Sequence, residues 1–483
     1  MPDLRKLMKE APIHFMGIGG AGMCALAEAV LREGGRVTGC DLAPGAATHA
    51  LERMGVRILK GHDPAHLADA SALVVSAAVP AEHPEVAEAR ARGLPVLKRA
   101  VALGAWVDHG RVIAVAGTHG KTTTTAMITA VLESGGLRPT GFVGGEVAGW
   151  ESHLRPGAGE LFVVEADEYD RSFHHLRPSV ALVTNLEEDH LDVYGSLEGV
   201  REGFRTFLAG VREGGTVIAC ADDPGAGQLV QGLPLTVVTY GLSAGAMLRG
   251  IEVDRSPTGA RVRVMEGGVD AGSIEISLPG LHNVRNALGA AATARTLGVG
   301  WDRIREGLAG FGGVRRRFQR LGEARGIAVV DDYAHHPTEV RAALEAARHA
   351  FPRRRVVAVF QPHLFTRTRD LAVEFGEALA LADACWVTAV YPAREAPIEG
   401  IDAELVVRAI ERAGGGEVHL HAELDSLARA LSESLRDGDL CLTLGAGSIE
   451  RTGPELVEIL REAGREHGAG REHGAGRQER DDA

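Results

Sequence analysis

The chain reads as an α/β protein of three domains: an N-terminal Rossmann-like domain, a central P-loop-type ATPase sheet and a C-terminal Rossmann-like doubly wound sheet. Three observations lead there. Short apolar, β-branched runs alternate with Ala-rich stretches of helical length between residues 13 and 444, the pattern of strands that are each followed by a helix. Two of those runs lead straight into glycine turns, GIGGAG at 17–22 and GTHG at 117–120, where backbone must bend sharply or approach a ligand. A length of 483 residues exceeds what one hydrophobic core spans and suggests about three domains. The expected boundaries are 1–108, 109–315 and 316–463, with a disordered tail at 464–483.

The first unit opens with a strand at 13–16, the glycine turn Gly17, Gly19, Gly20 and Gly22, and a helix from about 23 to 33. A second strand at 36–40 ends in Asp41. This is G-x-G-x-x-G in its strand–turn–helix setting, with pyrophosphate placed on the helix N-terminus and Asp41 on a ribose hydroxyl. Any diphosphate-bearing ligand could use the same cradle. A strand at 73–76, a helix at 85–92 and a short strand at 95–97 follow, and the domain ends near 106–110.

The second domain begins with VIAVAGTHGKTTTT at 112–125. A buried strand, a glycine turn and a helix N-terminus make a concavity of N–H groups suited to a polyphosphate. Lys121 is placed on the β- and γ-phosphates, and Thr122 on Mg²⁺. The generic phosphate loop asks for glycine at position 115, where this chain has Val115. Lys121 is also the last of five lysines, in a chain with 52 Lys and Arg together. A compact ammonium thus stands in the one place where it must fit between phosphates. A strand at 161–165 delivers Glu165, Asp167 and Glu168, and another at 180–184 delivers Glu187, Glu188, Asp189 and His190. Carboxylates and an imidazole at strand ends beside a phosphate loop are hard-cation ligands. His282, Asn283 and Asn286 open an Ala-rich helix, and Arg315, Arg316 and Arg317 mark the next junction.

The third domain alternates again. Strands at 328–331, 356–360, 384–390 and 440–444 lead into loops carrying Tyr333, His335 and His336, then His363 and Arg367, then Tyr391 and Arg394, then Gly445. Pro337 suits the first turn of a helix at 339–350. The sheet is expected to face the ATP site. For His335 and His336, structural or substrate-contact roles rank ahead of zinc, because no Cys or third His lies at useful spacing. The tail repeats REHGAG at 465–470 and 471–476, a polar duplication that cannot bury a core.

Bulk composition excludes several classes. A net charge of −13 opposes sequence-independent nucleic-acid binding. No apolar run reaches the ~20 residues of a membrane helix, and the N-terminal MPDLRKLMKEAP has no signal core, so a cytoplasmic protein is expected. The five cysteines, Cys24, Cys40, Cys220, Cys385 and Cys441, have no CxxC spacing and read as buried small hydrophobes in a reducing compartment.

Together these pieces resemble the Mur ligase family. The matching segments are GIGGAGM, GTHGKTTTTAM, EADE, TNLEEDHLD, HNVRNALGA, RRF, DDYAHHPTE, FQPH with TRT, and YPARE, in family order over nearly the whole chain. The incomplete phosphate loop is the form this family uses. The resemblance implies a UDP end of a sugar nucleotide, rather than NAD, at Gly17, Gly19, Gly20, Gly22 and Asp41. It implies ATP at Gly117, Thr118, His119, Gly120, Lys121, Thr122, Thr123, Asn283, Asn286 and Arg317, with the two asparagines on the adenine side. Lys121, Glu165 and His190 are the implied catalytic residues, and Thr122, Glu165 and His190 the Mg²⁺ ligands. His335, His363 and Arg367 are implied for phosphate or substrate contacts at a closing face, and Tyr333 for the amino-acid side.

The alanine-adding members are the nearest, implying ATP-driven joining of L-alanine to the lactyl carboxylate of UDP-N-acetylmuramate through an acyl phosphate, by a monomer or homodimer. Two departures stand out. FQPHRYTRT is replaced by FQPHLFTRT, with Leu364 and Phe365, and no lysine after Lys121 exists to be carbamylated. Three other readings compete: a ligase that attaches a preformed tripeptide to the same nucleotide sugar, a nicotinamide-dependent oxidoreductase built on Gly17–Gly22, and a non-catalytic nucleotide-regulated binding protein.

Overall fold

The structure, a computed structural model, describes residues 3–393 and 395–475. It contains three sheets. The first has five parallel strands, β1 (Ile13–Met16), β2 (Val37–Asp41), β3 (Arg57–Lys60), β4 (Ala72–Val75) and β5 (Val96–Lys98), in the order β3-β2-β1-β4-β5. The order reverses at β1, so the C-terminal ends of β1 and β4 open a crevice of the kind that binds nucleotides in such sheets. The glycine turn after β1 lies at this point.

The second sheet has ten strands: β6 (Arg111–Ala116), β7 (Thr140–Phe142), β8 (Leu154–Arg155), β9 (Leu161–Glu165), β10 (Val180–Val183), β11 (Thr216–Cys220), β12 (Thr236–Gly241), β13 (Leu248–Ser256), β14 (Gly259–Glu266) and β15 (Val269–Ile276). Their order is β15-β14-β13-β12-β11-β10-β6-β9-β7-β8. The central strands β6, β9 and β10 are wholly buried over most of their length, which is why they read as continuous apolar runs. Strands β11 to β15 were not assigned from sequence. β13 to β15 alternate buried and exposed residues through polar stretches, and β14 pairs with β15 antiparallel.

The third sheet runs β16 (Gln319–Ala324), β17 (Ile327–Asp332), β18 (Arg355–Phe360), β19 (Ala384–Val387), β20 (Glu417–Leu420) and β21 (Asp439–Leu444), in the order β16-β17-β21-β18-β19-β20. The four strands expected there are present. The antiparallel edge β16 and the half-exposed β20 are additions.

Packing groups the sheets into two compact units. One takes Met1–Asp254, Ala260–Ser277 and His282–Val314, and so contains the first two sheets; the other takes Arg255–Gly259, Leu278–Leu281 and Arg315–Ala483. The helix Arg99–Val107 ends just before β6 begins, close to the expected first boundary. A shared core joins the first two sheets, with Trp106, Phe162 and Phe173 all fully buried in it. At the C-terminus a helix spans Thr452–Ala475, where a disordered tail from 464 was expected. Leu456, Val457 and Leu460 are buried and anchor its first turns, and extending a nucleated helix costs little. Residues 476–483 lie outside the described residues.

Candidate active site

Strand β6 ends at Ala116 and the chain turns through two glycines with left-handed φ, Gly117 at 137° and Gly120 at 81°. Both turns are tight. A Cβ on Gly117 would collide with Thr184 Oγ1, and one on Gly120 would lie 2.7 Å from Asn286 Oδ1. Gly120 caps the helix Lys121–Ser134 without any side chain, leaving the first helical N–H groups available to an anion.

The loop after β10 braces this turn from below. Thr184 Oγ1 donates to His119 O at 2.7 Å, and Asn185 takes the His119 N–H on Oδ1 at 2.8 Å while donating to His119 O at 3.1 Å. The Glu187 N–H donates to Thr118 Oγ1 at 2.9 Å. The pairing Val183↔Ala116 sets these contacts, because it brings the C-terminal ends of β10 and β6 to one level.

Lys121 points back over the turn. Its Nζ donates to Gly117 O at 2.7 Å and Thr118 O at 3.2 Å, and to Glu168 Oε1 and Oε2 at 2.9 and 2.8 Å. Burial works to lower the Lys121 pKa, but Glu168, Asp167 and Glu165 outweigh it and hold the ammonium up at about 12. Burial pushes the Glu168 carboxyl up, to about 7, against the pull of Lys121. With three carboxylates around it, Lys121 is the group that stays charged, and Glu168 is the one that titrates.

Beside this pair, Thr122 Oγ1 donates to Glu165 Oε1 at 2.8 Å, and the Gly144 N–H donates to Glu165 Oε2 at 2.7 Å. A hydroxyl and a half-buried carboxylate in contact supply the hard oxygen donors that Mg²⁺ takes in nucleotide sites. His190 Nε2 lies 3.8 Å from Glu168 Oε1 and 3.8 Å from Asp189 Oδ2. Left-handed φ values at Asp170, Arg171 and His190, each 52° or 53°, concentrate backbone strain in the two segments that carry these groups. Tyr194 Oη donates to Glu168 O at 2.7 Å and secures one of them.

Asn283 and Asn286 are adjacent, with Asn286 Nδ2 3.3 Å from Asn283 Oδ1, at the start of the helix Leu281–Thr296. Asn286 thus reaches the phosphate turn at Gly120. The neighbouring Arg285 pairs with Asp222 at 2.8 Å. Thr123 is buried in the first turn of the Lys121–Ser134 helix.

In the first sheet, Asp41 accepts the Gly19 N–H at 2.8 Å and the Ala43 N–H at 3.0 Å. The carboxylate therefore shapes the glycine turn itself. Gly17 has φ 78° and its turn is closed by N–H donation to Cys40 O at 2.8 Å. A Cβ on Gly22 would sit 2.9 Å from Arg99 Cδ, so helix and arginine pack closely there, with Gly20 as the helix cap.

The second unit gathers its own expected residues into one patch. The Arg316 and Arg317 guanidinium groups each lie 5.2 Å from the Tyr333 ring centroid. Tyr333 meets His335 at 5.2 Å, His335 meets His363 at 5.7 Å, and His363 stacks on Tyr391 at 5.6 Å. Arg367, buried on the helix Phe365–Asp370, places Nη1 3.3 Å from His363 Nδ1. Arg317 also approaches Glu339 at 3.6 Å. Nearby, the buried Asp332 carboxyl is pushed up to about 6 by burial, chiefly against the pull of Arg317, and accepts N–H groups from Phe318 and Ala334.

Two contributors were missed from sequence. Glu168 was read only as one of a run of cation-ligating carboxylates and not as the partner of Lys121, and Asn185 was passed over. The signal for Glu168 was its position three residues after Glu165, at the end of a strand next to the lysine strand.

Family models match most of the chain: "Mur ligase family, catalytic domain" over residues 12–111, "Mur ligase middle domain" over 115–294 and "Mur ligase, glutamate ligase domain" over 316–447. The UDP-N-acetylmuramate–L-alanine ligase of Salinibacter ruber is 45% identical over 453 residues, covering 94% of this chain and 95% of that protein. Its namesake from Rubrobacter xylanophilus is 46% identical, with 92% and 99% covered. Among solved structures, the UDP-N-acetylmuramate–alanine ligase of Thermotoga maritima matches with a TM-score of 0.80 at 29% identity, covering 94% of this chain and 100% of that one. A murein peptide ligase from Psychrobacter arcticus matches with a TM-score of 0.71 at 25% identity, over 93% and 98%.

Proposed function

The chain belongs to the Mur ligase family, and from that premise we propose that it joins L-alanine to the lactyl carboxylate of UDP-N-acetylmuramate at the expense of ATP, in peptidoglycan precursor synthesis. One observation carries the chemistry: Lys121, Thr122 and Glu165 converge at a glycine turn whose helix end is left open. These residues fit Mg-ATP. The Gly117 and Gly120 turn supplies N–H groups, Lys121 a fixed positive charge, and Thr122 with Glu165 the oxygen donors for the cation, with His190 assigned to a second one. Bound Mg²⁺ would supply charge neutralisation on the phosphates.

The reaction follows from this charge pattern. The lactyl carboxylate attacks the γ-phosphorus, the bond to ADP breaks, and Lys121 stabilises the charge that develops on the phosphoryl oxygens. Glu168 holds the ammonium in the meantime, so that a charged lysine is waiting at the turn. The neutral amine of L-alanine then attacks the acyl phosphate carbonyl; as the amide forms, inorganic phosphate leaves and carries away the N–H proton that the amine gives up. We assign the UDP end to the Gly17–Gly22 turn and the amino-acid side to the patch of Tyr333, His335, His363 and Arg367. Among the described residues no helix is long and apolar enough to cross a membrane. On this reading, we assign the reaction to the cytoplasm, where its charged nucleotide substrates are available.

The test is ADP release by the full chain with UDP-N-acetylmuramate, measured against a panel of amino acids and the tripeptide L-alanyl-γ-D-glutamyl-meso-diaminopimelate. L-Alanine-dependent turnover supports the proposal. Turnover with the tripeptide alone moves the assignment to the peptide-attaching ligases, and NADH binding without ADP release returns it to an oxidoreductase.

A further inference from the structure

We propose that the N-terminal domain carries a buried site for a divalent transition metal, Zn²⁺ foremost, built from His14, Cys40, His66 and Glu85. The residues are 26, 26 and 19 positions apart in sequence, and the fold brings them together. On β1 and β2 side chains alternate between the faces of the sheet, and the register Met16↔Cys40 and His14↔Thr38 puts His14 and Cys40 on the same face. The helix Pro84–Ala91 and the turn Pro64–Leu67 contribute Glu85 and His66.

One ligand atom from each of the four residues falls within 4.8 Å of all the others. His14 Nε2 is 3.0 Å from Glu85 Oε1 and 3.4 Å from Cys40 Sγ; Cys40 Sγ is 3.6 Å from Glu85 Oε1; His66 Nδ1 is 3.9 Å from Glu85 Oε1. The edges of a tetrahedron around Zn²⁺, with bonds of ~2.0–2.3 Å, are about 3.3–3.8 Å; the four separations above bracket that range, and the remaining two fall within 4.8 Å.

Three further features point to a cation. Glu85 is fully buried, and among the described residues its ion-pair partners are only histidines, His14, His62 and His66. A buried carboxylate without a fixed positive partner is costly. His66 Nδ1 is buried and has no hydrogen-bond partner. His14 is oriented from behind, its Nδ1 2.9 Å from Thr38 Oγ1, which leaves Nε2 as the ligand in the manner of metal-bound histidines. His62 Nδ1, 3.1 Å from Cys40 Sγ, stands next to the cage as an outer partner. Thiolate and imidazole favour Zn²⁺, Co²⁺ or Cu²⁺ over Mg²⁺, so this site is chemically separate from the oxygen donors at Thr122 and Glu165. Binding replaces the Cys40 S–H by a metal–sulfur bond and releases one proton to solvent.

The experiment uses the tag-free full chain, stripped with chelator and kept in excess Mg²⁺. Titration with Co²⁺ is expected to give a thiolate-to-cobalt charge-transfer band that saturates at one equivalent, and Zn²⁺ is expected to bleach it and raise the melting temperature. Cys40→Ser removes the band, while His66→Ala keeps the fold and weakens Zn²⁺ binding by at least about tenfold. A wild-type protein that gives no such band, or a band that persists in Cys40→Ser, overturns the proposal and leaves a hydrogen-bonded histidine–carboxylate cluster. Should Cys40→Ser fail to fold, the wild-type band and the His66→Ala affinity decide.

Discussion

The Lys121 ammonium and the Glu168 carboxylate form a two-pronged buried ion pair, with Nζ 2.9 and 2.8 Å from the two oxygens, directly above the Gly117 turn. The lysine is therefore charged and aimed before any phosphate arrives. Replacing Lys121 with Ala is expected to lower ADP formation by at least about 10²–10³-fold, the usual cost of removing one group that stabilises transition-state charge. Because burial already pushes Glu168 up to about 7, its carboxyl can take a proton and the fold survives. UDP-N-acetylmuramate binding, measured by calorimetry, stays near the wild-type value, since Gly17–Gly22 belongs to another sheet. Wild-type-like turnover would sink the assignment of Lys121.

The same pair sets a pH dependence. Glu168 has a folded pKa of about 7 against an unperturbed 4.5, so between those values the folded state binds more protons than the unfolded one. Stability then falls with rising pH across that window, and the loss is complete above about pH 7. Lys121 acts elsewhere: its pKa is raised from 10.5 to about 12, so its contribution is full below 10.5 and fades only above that. Glu168→Gln is expected to flatten the decline between pH 4.5 and 7 in nucleotide-free protein. Parallel denaturation profiles for the variant and the wild type across this range would contradict it.

Glu165 is held by the Thr122 hydroxyl on one oxygen and the Gly144 N–H on the other. The carboxylate is half-buried at the end of its strand and packs no core residue with its oxygens. Glu165→Ala should leave the melting temperature within a few degrees of wild type and raise the Mg²⁺ concentration for half-maximal activity at least about tenfold. An unchanged Mg²⁺ dependence would remove Glu165 from the cation site.

Gly117→Ala places a methyl against Thr184 Oγ1 at a φ of 137°, a backbone region that L residues rarely adopt. The strained backbone and the displaced hydroxyl brace together should cost about 1–3 kcal/mol. The loss should be visible in urea unfolding and accompanied by weaker ATP binding. Gly34→Ala, also left-handed but with open space around it, is the control and should leave ATP binding unchanged.

Much of this was legible in the sequence, for identifiable reasons. Strands β6, β9 and β10 are buried on both faces, so their apolar runs stand out, and Gly117 and Gly120 punctuate them where left-handed backbone is required. The brace from Thr184, Asn185 and Glu187 could not be read, because it depends on the Val183↔Ala116 register. Strands β13 to β15 were missed because their solvent-facing, polar residues hide the alternation. The gathering of His14, Cys40, His66 and Glu85 had no motif at all: cysteines without CxxC spacing read as packing, and only the Met16↔Cys40 register reveals the cluster.

The patch in the second unit supplies the last prediction. Arg367 is buried and lies 3.3 Å from His363, which stacks on Tyr391 and meets His335. A planar guanidinium in this position can hold a carboxylate with two parallel hydrogen bonds, which a lysine ammonium cannot do. Arg367→Lys keeps the charge and most of the volume. If the patch receives the amino acid, the variant should raise KM for L-alanine about tenfold or more, equivalent to about 1.4 kcal/mol, while KM for ATP and UDP-N-acetylmuramate move less than about threefold. Equal rises for all three substrates would instead mean that Arg367 supports the packing of its helix, and the amino-acid side would then have to be sought among other residues of this unit.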